Sequence, residues 1–274
     1  MLSRRGMCDL DTLAAELHVS QSTVRRDVEF LEQGGLVERT HGGVIWVGEK
    51  RDGTRPYAFD QRMSYRLGPK QQIARAARSL TQPGQTILVD GGTTTFYLAR
   101  ELLGQPLQLV TNSLPIANLF LNDEHVELVL TGGQVYPRYG VLLGPMAESA
   151  LAGIHAQTLF FSAAGIHDGS LYNQNSMLVQ AEQRMMQQVQ KVVLLADSSK
   201  FGQQALSTLC RLDEIDVVVS DAGLSAEHRE AVRAAGCELI VVEEPENNDK
   251  AADRQGERSN DAVRREGEAP AEPR

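Results

Sequence analysis

The chain has 274 residues, room for one small and one larger domain, and its 42% hydrophobic content is an ordinary load for globular cores. No run of 18 apolar residues occurs, so no membrane partner is expected, and the opening MLSRRGMCDL lacks the apolar centre of a secretory signal. Three scattered cysteines (Cys8, Cys210, Cys237) and six histidines without ligand spacing exclude a disulfide framework and a zinc site, so neither metal nor cofactor is expected, and a reducing cytoplasmic setting is.

The net charge of −9 is unevenly placed. Residues 1–55 carry eight Lys/Arg and nine Asp/Glu, close to neutral, so attraction to phosphate there depends on concentrating the cations on one face. Residues 243–274 carry ten acidic and six basic residues and almost no large apolar ones. Such a segment buries too little surface to offset its ordering entropy and is expected to be a disordered acidic tail.

In chain order, Leu10, Leu13, Ala14 and Leu17 form a short amphipathic helix, with Asp9 placed to cap it. The turn His18-Val19 leads into Ser20, a cap for a second helix running to Gln33. Val24, Val28 and Leu31 make its apolar stripe, and Gln21, Ser22, Arg25, Arg26 and Glu29 its polar face. Gly34 and Gly35 stop it, and Leu36–Arg39 and Val44–Val47 are β-prone runs around Thr40-His41-Gly42-Gly43, a two-stranded ribbon. Helix, short turn and longer helix form the helix-turn-helix arrangement, whose second helix reads the major groove. An ordinary surface helix with a hairpin behind it is the alternative. TVRRD, the two glycines and RTHGGV resemble, in order and spacing, the DNA-binding region of the DeoR family of bacterial transcriptional regulators. That resemblance implies a winged helix over residues 1–47. It also implies a further helix before Leu10, of which Leu2–Gly6 looks like the last turn, so the protein is expected to start upstream of Met1. Arg25 and Gln21 would reach base edges, Ser22, Thr23 and Arg26 would contact phosphates with Ser20 at the helix start, and Arg39, Thr40, His41 and Gly42 would press on the neighbouring backbone.

Residues 48–68 are charged and interrupted by Gly and Pro, a linker with a short helix around Phe59–Tyr65. From 69 to 242 helices and apolar runs alternate. Helices are expected at Lys70–Leu80, Thr94–Leu103, Leu114–Leu121, Gly144–Ala152, Ser176–Val189 and Ser225–Ala235. Strands are expected at Thr86–Val89, Leu107–Val110, Val126–Leu130, Thr158–Ser162, Val192–Ala196, Ile215–Val219 and Glu238–Val242. Continuous apolar strands separated by helices indicate an α/β domain with a mostly parallel sheet.

Ligands of such sheets bind beyond the carboxyl ends of the strands. The loops there are polar or glycine-rich: Asp90-Gly91-Gly92-Thr93-Thr94-Thr95, Thr111-Asn112-Ser113, Thr131-Gly132-Gly133, Ala164-Gly165 and Asp197-Ser198-Ser199-Lys200. In the first, two glycines permit close backbone approach and three threonines open a helix whose free N–H groups favour an anion. Asp90, Asn112, Glu182 and Asp197 can bond hydroxyls, and Lys200 can neutralise a phosphate. The set suits a phosphorylated sugar. DGGTTT, TNS, TGG, AEQRMM and ADSSKFG resemble the sugar-phosphate-sensing domain of DeoR-family regulators, itself similar to the ribose-5-phosphate isomerase fold. By that resemblance Gly92 and Thr93–Thr95 would hold the phosphate. Asp90, Asn112, Ser113, Gly132, Gly133 and Lys200 would line the pocket, and Arg138-Tyr139 and the insert His167–Asn175 would set selectivity.

The resemblance implies a repressor of carbohydrate-metabolism genes, a homodimer or tetramer on double-stranded operator DNA, controlled by a phosphorylated sugar. Two alternatives stand. One is a sugar-phosphate isomerase-like enzyme using Glu182 or Asp90 as base; the other is a decayed regulator that binds ligand but not DNA.

Overall fold

The computed structural model describes residues 7–8, 10–17, 19–33, 37–40, 43–46 and 59–243. The expectations placed on residues 1–6, on the glycine stop at 34–36, on the hairpin tip His41-Gly42, on 47–58 and on the tail 244–274 lie outside them.

In the N-terminal part, α1 (Leu10–Leu17) and α2 (Gln21–Gln33) precede β2 (Val37–Thr40) and β3 (Gly43–Trp46). Leu13, Val24, Val28, Val37 and Val44 form its core, each at most 3% exposed. The helical spacing of Val24 and Val28 thus points where it was read to point. Ser20 caps α2, its Oγ accepting the Thr23 N–H at 3.2 Å. The ribbon has a third strand, β1 (Met7–Cys8), pairing Met7 with Ile45 and Cys8 with Val44. Two residues are too short a run to carry a periodic signal.

The larger part opens with α3 (Phe59–Ser64) and α4 (Leu67–Arg78). It then alternates β4 (Thr86–Val89), α5 (Thr93–Glu101), β5 (Leu107–Thr111), α6 (Leu114–Phe120) and β6 (Val126–Leu130). After the hairpin β7 (Gln134–Tyr136) and β8 (Val141–Leu143) come α7 (Pro145–Ala152) and β9 (Ala156–Phe161). A second hairpin, β10 (Gly165–His167) and β11 (Ser170–Asn173), is followed by α8 (Ser176–Met186) and β12 (Val189–Leu195). The described chain ends with β13 (Ser207–Arg211), β14 (Val217–Asp221), α9 (Ala226–Ala234) and β15 (Glu238–Val242).

Seven strands form one sheet in the order β15-β14-β12-β9-β4-β5-β6, every pairing parallel. Successive residues of a strand face opposite sides, so both sides are apolar. Ile87 and Val89 join Ile73, Ala77, Leu98, Ile116 and Phe120 on one side; Leu88 joins Leu151, Val179, Met185 and Val232 on the other. The small antiparallel sheet β10-β11-β13 adds Ile166, Leu171 and Leu209 to that second side.

Most boundaries shift by one to three residues, and three differences have a clear cause. The helix read to Val189 stops at Met186, because Val189 already pairs with Ala156 as the start of β12. The strand read from Ile215 starts at Val217, because Leu212–Glu214 coils into a 3₁₀ turn closed by the Ile215 N–H on the Leu212 carbonyl. The segment read as an insert at His167–Asn175 is mostly the β10–β11 hairpin, turned at Asp168-Gly169, both with positive φ.

Candidate functional site

Strand order locates the crevice. From β4 the chain moves to β5 and β6, and from β9 it moves the other way to β12, β14 and β15. The connections diverge beyond the carboxyl ends of β4 and β9, where open α/β sheets bind ligands. The Asp90 N–H donates to the Phe160 carbonyl at 3.0 Å, fastening the loop after β4 to the end of β9.

That loop is tightly packed. A Cβ on Gly91 would lie 2.1 Å from Val141 Cγ1, and one on Gly92 2.2 Å from Ser162 Oγ, so both glycines are required by their protein neighbours. The Gly92 N–H donates to Thr95 Oγ1 at 2.8 Å, and that hydroxyl lies 2.7 Å from the Asp90 carbonyl oxygen. Thr95 therefore closes the loop on itself and is fully buried. Thr93 and Thr94 open α5, in the turn where backbone N–H groups have no helical acceptor.

Asp90, Asn112 and Glu182 meet behind this loop, at 2%, 0% and 2% exposure. Burial, then the neighbouring Asp90 charge, pushes the Glu182 carboxyl well above the usual carboxylate range; burial raises Asp90 as well. The two carboxyl groups are in hydrogen-bonding contact, an arrangement in which one proton serves both and Glu182 carries it. The far oxygen of Glu182, Oε1, accepts from Asn173 Nδ2 at 2.6 Å. Asn112 lies close enough to Asp90 to lower its pKa, yet neither its Oδ1 nor its Nδ2 reaches hydrogen-bonding geometry with any protein group. Asp197 Oδ2 is likewise buried without a donor, while Asp90 Oδ1 and Glu182 Oε2 have no partner outside the carboxyl pair itself. Buried polar atoms are normally paired, so this concentration marks the crevice.

Asp197 and Lys200 flank a 3₁₀ turn after β12. Asp197 Oδ1 accepts from the Ser199 N–H at 3.1 Å. Ser113 caps α6, its Oγ accepting from the Ile116 N–H at 3.4 Å. Gly132 and Gly133 have φ of 72° and 120°, and a Cβ on Gly133 would lie 2.7 Å from the Leu143 carbonyl oxygen, so these two shape a turn against β8.

Several groups at the site came from outside the strand-end loops. Arg66 lies between α3 and α4 in the left-handed region, at φ 49°. Its Nε is 2.9 Å from Asp197 Oδ1 and its Nη2 2.8 Å from Asp221 Oδ2. Asp221 also accepts the Ser198 N–H at 2.5 Å. Lys70 is 3% exposed and donates from Nζ to the carbonyls of Arg62 and Tyr65, closing the end of α3. Burial lowers its pKa to about 8, against the pull of Asp197 and with the push of Lys200. Arg62, from α3, lies 4.3 Å over the Tyr139 ring, with Asp90 as its nearby carboxylate. Tyr139 stacks on Tyr136 at 5.7 Å. The sequence signal available for these residues was only the arginine content of the segment 48–68 and the buried side of a helix at Lys70.

On α2, Ser20, Gln21, Ser22, Thr23, Arg25 and Arg26 are all exposed, opposite the buried Val24 and Val28. Ser20 Oγ is 2.7 Å from Ser22 Oγ and 2.9 Å from Thr23 Oγ1, a hydroxyl cluster at the helix start. Arg39 and Thr40 lie on β2, their side chains outside the described residues, as are His41 and Gly42. Among the described residues no cluster of three or more His, Cys, Asp or Glu is placed to hold a metal, and no helix is long and apolar enough to cross a membrane.

Comparison with known proteins agrees with this geometry. The model of a DeoR-like helix-turn-helix domain matches residues 1–50, and that of a DeoR C terminal sensor domain matches residues 67–222. The HTH-type transcriptional regulator UlaR of Escherichia coli (strain K12 / DH10B) is 31% identical over 243 residues, covering 88% of this chain and 95% of the relative. UlaR of Salmonella arizonae matches equally. Among solved structures, ribose 5-phosphate isomerase A from Methanocaldococcus jannaschii aligns at a TM-score of 0.36 and 19% identity, covering 48% of this chain and 53% of that one. The Chaetomium thermophilum eIF2B-beta2-delta2 complex aligns at 0.42 and 18%, covering 56% and 55%. With a helix-turn-helix head, a sensor domain and relatives matched almost end to end, the chain belongs to the DeoR family of helix-turn-helix transcriptional regulators.

Proposed function

We propose that this regulator is a repressor whose DNA affinity is set by a phosphorylated sugar in the β4/β9 crevice. The observation that carries this reading is the set of buried polar atoms without partners on Asn112 and Asp197, beside the buried Asp90–Glu182 pair and the first turn of α5. A polyhydroxyl chain supplies donors and acceptors to the former; a phosphate takes the N–H groups of Thr93 and Thr94, with Lys200 and the loops at Gly91-Gly92, Ser113 and Gly132-Gly133 around it. A hydrocarbon ligand would leave those groups unpaired, at a cost of about 1–3 kcal/mol each.

Helix α2 lies in the major groove in this reading, with Gln21 and Arg25 on base edges and Ser22, Thr23 and Arg26 on phosphates. A homodimer or tetramer presents two such helices to repeated half-sites. The effector acts by binding the DNA-competent and DNA-incompetent states with different affinity.

The test is a thermal-shift titration of the full chain against phosphosugars and their unphosphorylated parents, with the product checked by NMR. A ligand at a hundred times its Kd adds about 2.7 kcal/mol. Stabilisation without turnover is expected. The buried Asp90–Glu182 pair is also the chemistry of a sugar isomerase's base, and product formation would favour that second reading. In parallel, binding to DNA from upstream of the protein's own gene is expected to weaken about tenfold or more in Arg25→Ala. Unchanged binding would move the recognition helix elsewhere, and no binding by the wild type would make this a ligand-binding relic.

A further inference from the structure

The segment read from sequence as linker contributes a cation that no strand-end loop accounts for. Arg62 sits on α3, the helix that follows the 47–58 segment in the chain. Its guanidinium packs 4.3 Å over the Tyr139 ring and 5.9 Å from the Phe59 ring centre, so aromatic faces back the plane of the fork. Its Nε and Nη2 are both buried and without an acceptor. Those two nitrogens form one side of the guanidinium, the side that delivers two parallel N–H bonds to a carboxylate or phosphate. Arg66, four residues on, has ion-pair partners on both arms: its Nε lies 2.9 Å from Asp197 Oδ1, without hydrogen-bonding geometry, and its Nη2 bonds Asp221 Oδ2. Asp90, the carboxylate nearest Arg62, offsets its charge without closing that side.

A buried guanidinium beside two aromatic rings, with both N–H groups of its bidentate side unpaired, has the chemistry to take an oxyanion. We infer that Arg62 binds the phosphate of the effector bidentately, so that the ligand is held jointly by the sheet and by α3, the element leading back to the DNA-binding head. This deepens the phosphosugar reading of the crevice and rests on it. Occupancy of the site then reaches the linker by direct contact. Because Lys70 holds the carbonyls of Arg62 and Tyr65, α3 and α4 respond together. Tyr139, on the loop between β7 and β8, positions the fork and is not itself a ligand in this scheme.

The experiment uses the full-length protein and its Arg62→Ala, Arg62→Lys and Arg62→Gln variants. Each is titrated calorimetrically with ribose 5-phosphate, glucose 6-phosphate, fructose 6-phosphate and fructose 1-phosphate, and hydrogen exchange over residues 59–66 is followed with and without ligand. The wild type is expected to bind at least one of these. Arg62→Ala and Arg62→Gln are then expected to weaken it by about tenfold or more, with Arg62→Lys between, as a point charge replaces a fork. Ligand is expected to slow exchange over 59–66 in the wild type and much less in Arg62→Ala. A wild type that binds and an Arg62→Gln that binds within twofold of it would overturn the inference and leave the phosphosugar reading standing. Equal slowing of exchange in both proteins would overturn the contact between effector and α3. A wild type that binds no phosphosugar would overturn the phosphosugar reading and the inference with it. Should Arg62→Ala fail to fold, the Lys and Gln variants, which keep most of the aliphatic stem, carry the same test.

Discussion

Arg62 and Arg66 leave the same stretch of chain four residues apart and meet opposite circumstances. At the carboxyl ends of β12 and β14, Arg66 faces Asp197 and Asp221, with the Ser198 hydroxyl as a third acceptor at 2.9 Å. At the carboxyl ends of β4 and β9, Arg62 has Asp90 in its vicinity, yet its Nε and Nη2 find no acceptor. The first region is held by ion pairs on both arms, although Arg66 Nε and Asp197 Oδ2 lack a hydrogen bond; the second gives the Arg62 fork no ion-pair partner. The difference teaches how to separate structural from recognitive charge within one cluster: by which hydrogen-bonding sites the protein itself has filled, since buried donors left open cost stability.

The largest effect expected from breaking the ion pairs is on stability. Asp221→Ala leaves the Ser198 N–H without its acceptor and Arg66 Nη2 with the Ser198 hydroxyl alone, and should cost about 3 kcal/mol in urea unfolding. A loss under about 0.5 kcal/mol would make the ion pairs incidental.

Lys70, four residues after Arg66, gives the next effect. Its folded pKa, about 8, lies below the ordinary lysine value, so as pH rises the folded protein releases this proton first. Between pH 8 and about 10.4 the unfolded chain holds more protons and stability rises, by at most about 1.4 kcal/mol per pH unit and at most about 3 kcal/mol in all. Lys70→Met should lack that rise relative to the wild type, in paired unfolding curves at each pH.

The second region has the opposite sign. Glu182 keeps its proton in the folded state at pH values where the unfolded chain has released it. Stability should therefore be full below about pH 4.3 and fall as pH rises above it, by up to about 1.4 kcal/mol per unit. Glu182→Gln preserves the carbonyl that accepts from Asn173 and should flatten the decline by about 1 kcal/mol at pH 7. An unchanged profile would mean that the carboxyl pair does not share a proton.

The smallest effect sharpens the comparison most. Arg62→Ala loses packing on Tyr139 but also removes buried donors without acceptors, so its stability should shift by less than about 1 kcal/mol in either direction. A loss as large as that of Asp221→Ala would place both arginines in the same structural role.

The strand-end loops were legible because their chemistry is local. Asp90 to Thr95 reads as a loop opening a helix wherever the chain runs, and the apolar runs at Thr86–Val89 and Glu238–Val242 match their strands end to end. The role of Thr95 was not legible: a threonine at a helix start reads as a ligand donor, and only the packing shows its hydroxyl closing the loop on Gly92 and Asp90. The three-residue strands Gln134–Tyr136 and Val141–Leu143 carry too few alternations to stand out, and Ser207–Arg211 has only Leu209 and Cys210 as apolar residues, so it shows no continuous run. One signal was present and unused: Asp168-Gly169, a dipeptide that favours the tight turn joining β10 and β11.

The sequence by itself determined the periods and the punctuation: a capped polar helix behind a short one, seven apolar runs mostly spaced by helices, and polar or glycine-rich loops at the carboxyl ends of five of them. These follow from side-chain spacing and backbone freedom within a few residues, which no distant contact alters. Tertiary structure alone decided which loops meet. The divergence of connections at β4 and β9 brings Asp90, Asn112 and Glu182 together out of solvent, and the turn of the chain at Arg66 brings Arg66 onto Asp197 and Asp221. Burial and partnership are properties of pairs of residues far apart in the chain. They separate an arginine that fastens the fold from one that waits for an anion, and no spacing along the sequence encodes them.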